Sequence, residues 1–293
     1  MTSKIKATNH INIILQDRDI VILEFIAKFG VVNDLHIIHT INFHDNNHDN
    51  KNKITPKNYN RIIQRLIKAG YIKKTKLIAN DYNYITLEKN GEIILNVKKV
   101  KQLALPTLRH DMLVLDLYCN LQLRHPSYKF TSEHKLKQKS EIRIEDRTKV
   151  PDLLIHDDNN ATIAVEMEIS EKSHTILTNI ILNYIYNSQI TEVWYFVKSI
   201  SLGNKIHAIS GANCKKIRVF LLDLSAYSTR LNLLSTQAEA QDTINSLNTL
   251  DECLELALNL PYTEIINPRL NEEIVQTYPQ FKFYDLKAYL NDE

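Results

Sequence analysis

A strand that carries two acids constrains this chain more than any other feature of its sequence. The segment AVEMEIS (164–170) alternates apolar and acidic residues. Side chains alternate between the faces of a strand, so Glu166 and Glu168 point one way while the apolar residues beside them point into the core. The preceding VPDLLIH is typical of a second strand, and the DDNN turn between the two predicts an antiparallel hairpin. That pairing brings Asp152 beside the two glutamates.

Three carboxylates at one end of a sheet repel each other strongly unless a cation lies between them. Mg²⁺ or Mn²⁺ prefers carboxylate oxygen and water, so either ion fits a site made by Asp152, Glu166 and Glu168. Such an ion polarises a phosphoryl oxygen and activates a water or hydroxyl for attack on a phosphodiester. Lys172, four residues after Glu168, is placed to neutralise the charge that develops on the phosphate.

The alternative interpretation makes the two glutamates part of a solvent-facing strand edge in a half-exposed sheet. The flanking segments TIAV and EVWYFV are too apolar for a wholly exposed strand. After the hairpin, helix 171–189, strand 192–199 and strand 215–224 predict an α/β sheet covered by helices. The segment KIHAIS between the last two strands is left unassigned. Upstream, a helix over 107–124 and a short one around 132–139 are predicted.

The first hundred residues are basic, although the whole chain has a net charge of only +2. They hold 16 Lys and Arg against 9 Asp and Glu, whereas the remainder holds 20 against 25. Residues 51–80 contain nine basic residues and no acid. This asymmetry predicts one surface that faces a polyanion. A solvated, lysine-rich helix face is the alternative explanation.

Helix signals give the basic region an order. Helices are predicted over 17–28, after Asn33 and over 55–70, where Thr55 caps the helix and Pro56 takes its first position. Two strands within 71–87 and a further helix follow. This is the order of a winged helix-turn-helix, in which the third helix enters the major groove and the hairpin wing contacts phosphates. The predicted DNA contacts are Lys57, Arg61, Arg65, Lys68, Lys73 and Lys74. A winged helix that contacts protein instead remains an alternative.

Composition excludes several other classes. The three scattered cysteines form no CxxC pair, so a disulfide framework and a cysteine zinc site are disfavoured, which suggests a cytoplasmic protein. The five glycines form no phosphate-binding loop. No run approaches the roughly 18 apolar residues of a membrane span, and the first residues lack a signal-peptide pattern.

The pattern PD, 13 residues, ExE and a following lysine resembles the PD-(D/E)xK nuclease superfamily. One position departs from that pattern, because Glu168 stands at the family's lysine position and the lysine is Lys172. A narrower resemblance, over roughly residues 15–200, is to the replication-relaxation proteins and the related MobC-type plasmid mobilisation relaxases. It is carried by the winged-helix order and by RHDMLVLDL, FTSEHKL, PDLLI, AVEMEISEKS and ILTNIILNYI. The resemblance implies functional roles for His110, Asp111 and Glu133.

Taken together, these features predict a mixed α/β (α+β) fold. Residues 1–98 form a winged-helix DNA-binding domain, 105–225 a restriction-endonuclease-like mixed sheet flanked by helices, and 226–293 an acidic helical C-terminal extension. By the resemblance, the protein nicks or transfers a DNA strand at a plasmid origin of transfer. Asp152 and Glu166 would hold the metal. Glu168 would hold a second metal or act as the base. Lys172 would stabilise the transition state, and Glu133 would support the site.

Two rival functions stay open. The first is a non-catalytic DNA-binding replication initiator or transcriptional regulator with a degenerate nuclease domain. The second is an interaction protein of a conjugation complex, in which the acidic tail contacts other relaxosome proteins. Residues 221–293 carry 12 acids and 4 basic residues, and one helix is predicted there, over about 236–258.

Other potential functional residues have simpler explanations. A histidine series spaced at 3, 5 and 4 residues resembles a metal-ligand pattern, but it runs from a helix into a polar linker and is interpreted as incidental. Its members are His36, His39, His44 and His48. Tyr184 and Tyr186 are possible nucleophiles, since most relaxases attack DNA through tyrosine. Because they lie among Ile and Leu on a predicted helix, a core role is favoured.

Overall fold

The computed structural model describes residues 13–44, 54–76, 83–97, 105–138, 149–159, 161–211, 214–223 and 282–285. Their contacts divide the chain into two compact units. The first unit holds the described residues up to Val97. The second begins with the helix at Leu105 and includes the strand at 282–285. Within the described residues, no helix has the length and apolar character needed to cross a membrane.

The first unit contains four helices and three strands among its described residues. In chain order they are α1 (Asp17–Phe29), β1 (Val32–Asn33), α2 (Asp34–His44), α3 (Pro56–Lys68), β2 (Ile72–Lys76), β3 (Asn83–Leu87) and α4 (Lys89–Ile94). The strands form an antiparallel sheet in the order β1-β3-β2, with Val32 opposite Ile85 and Lys74 on its other side. Apolar residues of α1, α2, α3 and β3 make its core, among them Ile22, Ile37, Leu66 and Ile85.

Local signals in the sequence explain where these helices begin and end. Gln16 caps α1, and Asp19 accepts a hydrogen bond from its backbone N–H in return. Gly30 ends α1 with a positive φ of 84°, which a residue without Cβ adopts at little cost. The Thr55 hydroxyl accepts from the Asn58 N–H at 3.3 Å, and Pro56 takes the first helical position, as predicted.

The second unit is built on a mixed sheet of six strands in the order β4-β5-β6-β7-β8-β9. Its elements are α5 (Leu105–Arg124), β4 (Lys129–Ser132), α6 (Glu133–Gln138), β5 (Leu153–His156), β6 (Thr162–Glu168), α7 (His174–Tyr186), β7 (Glu192–Val197), α8 (Ile200–Ser210), β8 (Ile217–Asp223) and β9 (Lys282–Asp285). The pairs β4–β5, β5–β6 and β8–β9 are antiparallel, and β6–β7 and β7–β8 are parallel. Helices α7 and α8 make the two parallel connections.

Strand β6 lies inside the sheet, between β5 and β7. One of its faces packs through Ala164 into a core that includes Leu177 and Ile181 of α7 and Ile206 of α8. Val165 and Met167, on the other face, are also buried. The interpretation of β6 as a solvent-facing edge is therefore wrong, because the sheet extends beyond it on both sides.

The predicted mixed α/β architecture is confirmed, and so are the predicted helices and strands that fall on described residues. Four elements were not predicted: β1, β4, α8, which includes the segment left unassigned, and β9 in the acidic tail. Most of the polar linker at 44–53 and the helix predicted at 236–258 lie outside the described residues.

Candidate functional site

The hairpin of β5 and β6 brings Asp152 to Glu166. Leu153 is paired with Val165, so the residue before β5 lies beside the residue after Val165. The Asp152 N–H donates to the Val165 carbonyl at 3.1 Å. In return, the Met167 N–H donates to Asp152 Oδ2 at 2.7 Å. The backbone of β6 thus fixes the Asp152 carboxylate between the two glutamate positions, as the sequence predicted.

The three acids are buried. Glu166 is 0% exposed, Glu168 2% and Asp152 5%. An ionised carboxylate in such surroundings costs several kcal/mol unless opposite charge and hydrogen bonds compensate it. The structure therefore has to supply partners for each of them.

Each carboxylate has its own cation. Lys149 pairs with Glu166 Oε2, and Lys172 pairs with Glu168. His110, on α5, places Nε2 at 3.2 Å from Asp152 Oδ2. We call this set, made of these three acids and three cations, the buried ionic cluster.

Glu166 receives a second partner from the helix above it. Tyr184 is buried on α7, one turn beyond Ile181, and its hydroxyl donates to Glu166 Oε1. The two oxygens of Glu166 therefore have different partners, Tyr184 on Oε1 and Lys149 on Oε2. Tyr184 has the core position predicted for it, and it also has a polar role that the sequence did not indicate.

The pKa values in the cluster follow from burial and charge. Burial lowers the pKa of His110, but hydrogen bonds and charge from Asp111 and Asp152 outweigh it and raise the value from 6.5 to about 10. Burial raises the pKa of Asp152, yet His110, Lys149 and the Met167 N–H together leave it below its ordinary value. Burial is the main cause that lowers the pKa of Lys149. His110 is therefore a cation at neutral pH and Asp152 an anion.

The residues implied by the family resemblance border the cluster. Glu133 begins α6, and its N–H donates to the Asp152 carbonyl at 2.9 Å, while its carboxylate pairs with Lys137 at 2.6 Å. Asp111 lies 3.7 Å from His110 Nδ1 and accepts from the Thr107 hydroxyl at 3.1 Å. The structure thus brings all seven predicted catalytic residues to one end of the sheet.

Lys149 is the cluster residue that sequence analysis missed. It lies three residues before Asp152, at the end of a polar and basic stretch. Its closeness to the PD motif is a signal, but nothing in the spacing shows that its ammonium would reach Glu166. That partnership depends on how the chain enters β5.

The donor set suits a hard divalent ion, because three carboxylates supply only oxygen. Tyr195, opposite Glu166 in the β6–β7 register, adds a buried hydroxyl that has no hydrogen-bond partner among the described residues. At the described positions, however, no three His, Cys, Asp or Glu side chains are arranged to hold a metal ion. The ammonium groups of Lys149 and Lys172 already contact the glutamate oxygens.

The six predicted DNA contacts fall into two groups. Arg65 is held by buried Asp19 at 2.5 and 2.6 Å, and Lys74 pairs with Asp34 at 2.8 Å. The other four are exposed on α3 and β2: Lys57, Arg61, Lys68 and Lys73. Arg65 and Lys74 thus connect elements of the first unit, and the exposed four form its basic face.

A cavity of about 200 Å³ lies where α1 and α3 meet. Its lining residues are Gln16, Arg18, Arg61, Ile62 and Arg65. The lining therefore carries three arginines, of which Arg65 is paired with Asp19. An anion such as a phosphate group suits it.

The described members of the histidine series do not form a cluster of metal ligands. His36 is buried at the start of α2, where it exchanges two hydrogen bonds with Asn33, and His39 is buried on the same helix. His48 lies outside the described residues. Tyr186, the second tyrosine of α7, is 80% exposed.

Comparison with known proteins yields no relative on which to base a function. No family model matches the chain, and no curated protein or solved structure matches it either. A function can therefore be proposed only from the charges, burial and hydrogen bonds of the two units together with the sequence resemblance.

Proposed function

We propose that the protein is a divalent-metal-dependent DNA endonuclease of the relaxase type, which nicks or transfers a strand at a plasmid origin of transfer. The observation that carries this proposal is the burial of Asp152, Glu166 and Glu168 together at paired strands, with a lysine or a histidine at each carboxylate. Burial of three acids lowers the stability of the fold, and such groups are concentrated in active sites. The resemblance to relaxases supplies the substrate and the biological setting.

The first unit is the DNA-binding module in this proposal. Its helix order and its β1-β3-β2 sheet agree with a winged helix-turn-helix. Helix α3 would enter the major groove, with Lys57, Arg61 and Lys68 toward the DNA, and Lys73 would contact a phosphate from the wing. The cavity between α1 and α3 adds a place for a backbone phosphate beside Arg18.

The second unit is the catalytic module, with a restriction-endonuclease-like sheet. Asp152, Glu166 and Glu168 would hold Mg²⁺ or Mn²⁺ through their oxygens. The ion, when bound, supplies Lewis acidity toward the phosphodiester. Lys172 would neutralise charge on the phosphate, and Glu133 would support Asp152 through its backbone. The His110 imidazolium, with Asp111 behind it, orients the Asp152 carboxylate.

Nicking of a supercoiled plasmid in Mg²⁺ tests the proposal. The wild-type chain should convert a plasmid that carries a transfer origin to the open circle. Glu166→Gln keeps the shape of the side chain but removes its charge, so nicking should fall at least about a hundredfold. Glu171→Gln is the matched control, because Glu171 is exposed and lies three residues after Glu168, where β6 ends, and it should nick like the wild type. A wild-type chain that binds DNA without nicking any plasmid would refute the proposed endonuclease activity.

The alternative is a DNA-binding initiator or regulator without catalytic activity. One observation favours it: each acid of the buried ionic cluster already has a cation partner, so the charges are balanced without a metal. Such a protein would bind a specific duplex, and Glu166→Gln would leave that binding unchanged while nicking stays absent in every variant.

DNA binding is tested separately through the exposed basic residues. Arg61→Gln and Lys73→Gln should each weaken binding and reduce the slope of log K against log salt by about 1, because each removes one phosphate contact. Lys89→Gln removes the same charge from α4 and should change the slope little. Fluorescence anisotropy at several salt concentrations measures both quantities. Equal slopes for all variants would contradict the assignment of α3 and the wing as the elements that contact DNA.

A further inference from the structure

Lys149 holds the position that a metal ion would take at Glu166. Its ammonium contacts Glu166 Oε2, and Glu166 has no exposed surface. The charges of Asp152, Glu168 and Glu133 also act on this ammonium. Lys149 thus contacts Glu166 and is influenced by the charges of three further acids, and Lys172 pairs with Glu168.

The remaining oxygen of Glu166 is secured independently. Tyr184 donates to Oε1, so removal of the ammonium would free Oε2 while the carboxylate stays oriented. Tyr195, the register partner of Glu166 on β7, adds a buried hydroxyl that has no hydrogen-bond partner among the described residues. A carboxylate oxygen and a hydroxyl are both ligands that a hard cation accepts.

We propose that Lys149 is a competitor of the divalent ion: its ammonium neutralises the buried acids in the metal-free protein and has to leave Glu166 before an ion binds there. This inference rests on the proposed metal-dependent function. An ammonium and a divalent ion within about 4 Å of each other repel strongly in a buried site. Lysine suits such an exchange, since its charge is carried on a flexible four-carbon stem.

The proposal makes metal affinity depend on the charge of residue 149. Lys149→Gln removes the competing charge, so the full chain should bind Mn²⁺ about tenfold or more tightly than the wild type. Lys149→Arg keeps the charge and should not gain affinity. Lys215→Gln is the control for a general loss of positive charge in this unit, because Lys215 is exposed and lies before the start of β8. It should bind within about twofold of the wild type.

Isothermal titration of MnCl₂ into each full-length variant, without DNA, measures these affinities. If the wild type binds Mn²⁺ and Lys149→Gln binds no more tightly, the competitor role of Lys149 is overturned while the nuclease proposal stands. If no variant binds Mn²⁺, both fail. If Lys149→Gln alone binds and no plasmid is nicked, Lys149 keeps its role and the nuclease is lost.

Thermal unfolding covers the case in which the variant folds poorly. Without metal, Lys149→Gln leaves Glu166 buried without its cation and should melt below the wild type. Added Mn²⁺ should restore its melting temperature more than it raises that of the wild type. A variant whose melting temperature or far-UV circular dichroism Mn²⁺ does not restore would show that the ammonium is a structural partner only.

Discussion

At the scale of single residues, Glu166 is the most deeply buried acid of the buried ionic cluster. It is surrounded by protein, yet each of its oxygens has a dedicated partner, Tyr184 or Lys149. A buried acid with two partners from different parts of the chain is sensitive to the loss of either. Two predictions concern such partners.

Tyr184→Phe removes the hydroxyl that donates to Glu166. The buried carboxylate then loses one hydrogen bond, and the free energy of unfolding should fall by about 1–3 kcal/mol. Tyr186→Phe makes the same chemical change at an exposed position of the same helix and should stay within about 0.5 kcal/mol of the wild type. Urea denaturation of the three proteins measures both values. Equal stabilities for the two variants would show that the Tyr184 hydroxyl contributes nothing.

His110 should make stability depend on pH. Its pKa is about 10 in the folded chain against an ordinary 6.5, so the protonated ring stabilises the fold fully below about pH 6.5. That contribution is lost as the pH rises through about 10. The difference in unfolding free energy between the wild type and His110→Asn, measured in EDTA, should therefore be largest near pH 6 and shrink toward pH 10. His174→Asn, at an exposed histidine, should show no such trend; a pH-independent difference for His110→Asn would contradict the shift.

The acids of the site were predictable from the sequence, whereas most of their partners were not. Strand alternation and a short turn are local, so Asp152 and Glu166 could be placed together from spacing alone. Lys149 precedes the strand on an irregular segment, and its partner depends on tertiary packing. For Tyr184, the burial was predictable because it lies among apolar residues on a helix. The sequence did not show that its hydroxyl would donate to Glu166.

At the scale of elements, the contact between α1 and α3 organises the first unit. Asp19 is buried. It accepts a hydrogen bond from the backbone N–H of Gln16, the N-cap residue of α1, and two more from Arg65 of α3. One carboxylate thus fixes the beginning of one helix and the orientation of another. Arg65 therefore has a structural role within the first unit.

Arg65→Met should destabilise the chain by about 1–3 kcal/mol, because it leaves the buried Asp19 carboxylate without its cation. Arg61→Met, at an exposed position of the same helix, should have little effect on stability. Thermal unfolding gives the comparison. A double-mutant cycle with Asp19→Asn should show that the two losses are not additive; additive losses would mean that the ion pair contributes no coupling.

Element prediction succeeded where caps or alternation were strong and failed where they were weak. Thr55-Pro56 and Gly30 gave α3 and α1 their boundaries. Strand β4 was missed because four residues, KFTS, in polar surroundings show no clear period. Helix α8 was missed because Ser, Gly and Asn weaken its propensity, although Ser199 caps it and Leu202 and Ile206 are buried one turn apart.

At the scale of the whole molecule, the sheet of the second unit is completed by a distant segment. Strand β9 pairs antiparallel with β8, with Leu221 opposite Tyr284. It belongs to the acidic tail, for which the sequence indicated a helical extension. No local pattern shows that four residues will cover a strand that ends at Asp223, because the pairing joins residues far apart in sequence.

Truncation after residue 281 removes β9 and exposes the edge of β8. Unpaired strand edges promote association, so this variant should aggregate faster on heating and melt at a lower temperature than the full chain. Truncation after residue 285 removes a similar number of acids but keeps β9, and it should behave like the full chain. Light scattering during a thermal ramp distinguishes them. Identical aggregation of both truncated chains would show that β9 gives no protection.

This late strand also has a consequence for synthesis. When β8 leaves the ribosome, the segment up to residue 281 is still being translated, and the strand that will cover β8 does not yet exist. The nascent protein therefore passes through a period in which the unpaired, mostly apolar edge of β8 can contact other polypeptides. A slow or paused translation of the tail would lengthen that period, so chaperone demand should be set by the tempo of its last codons as well as by the stability of the finished fold.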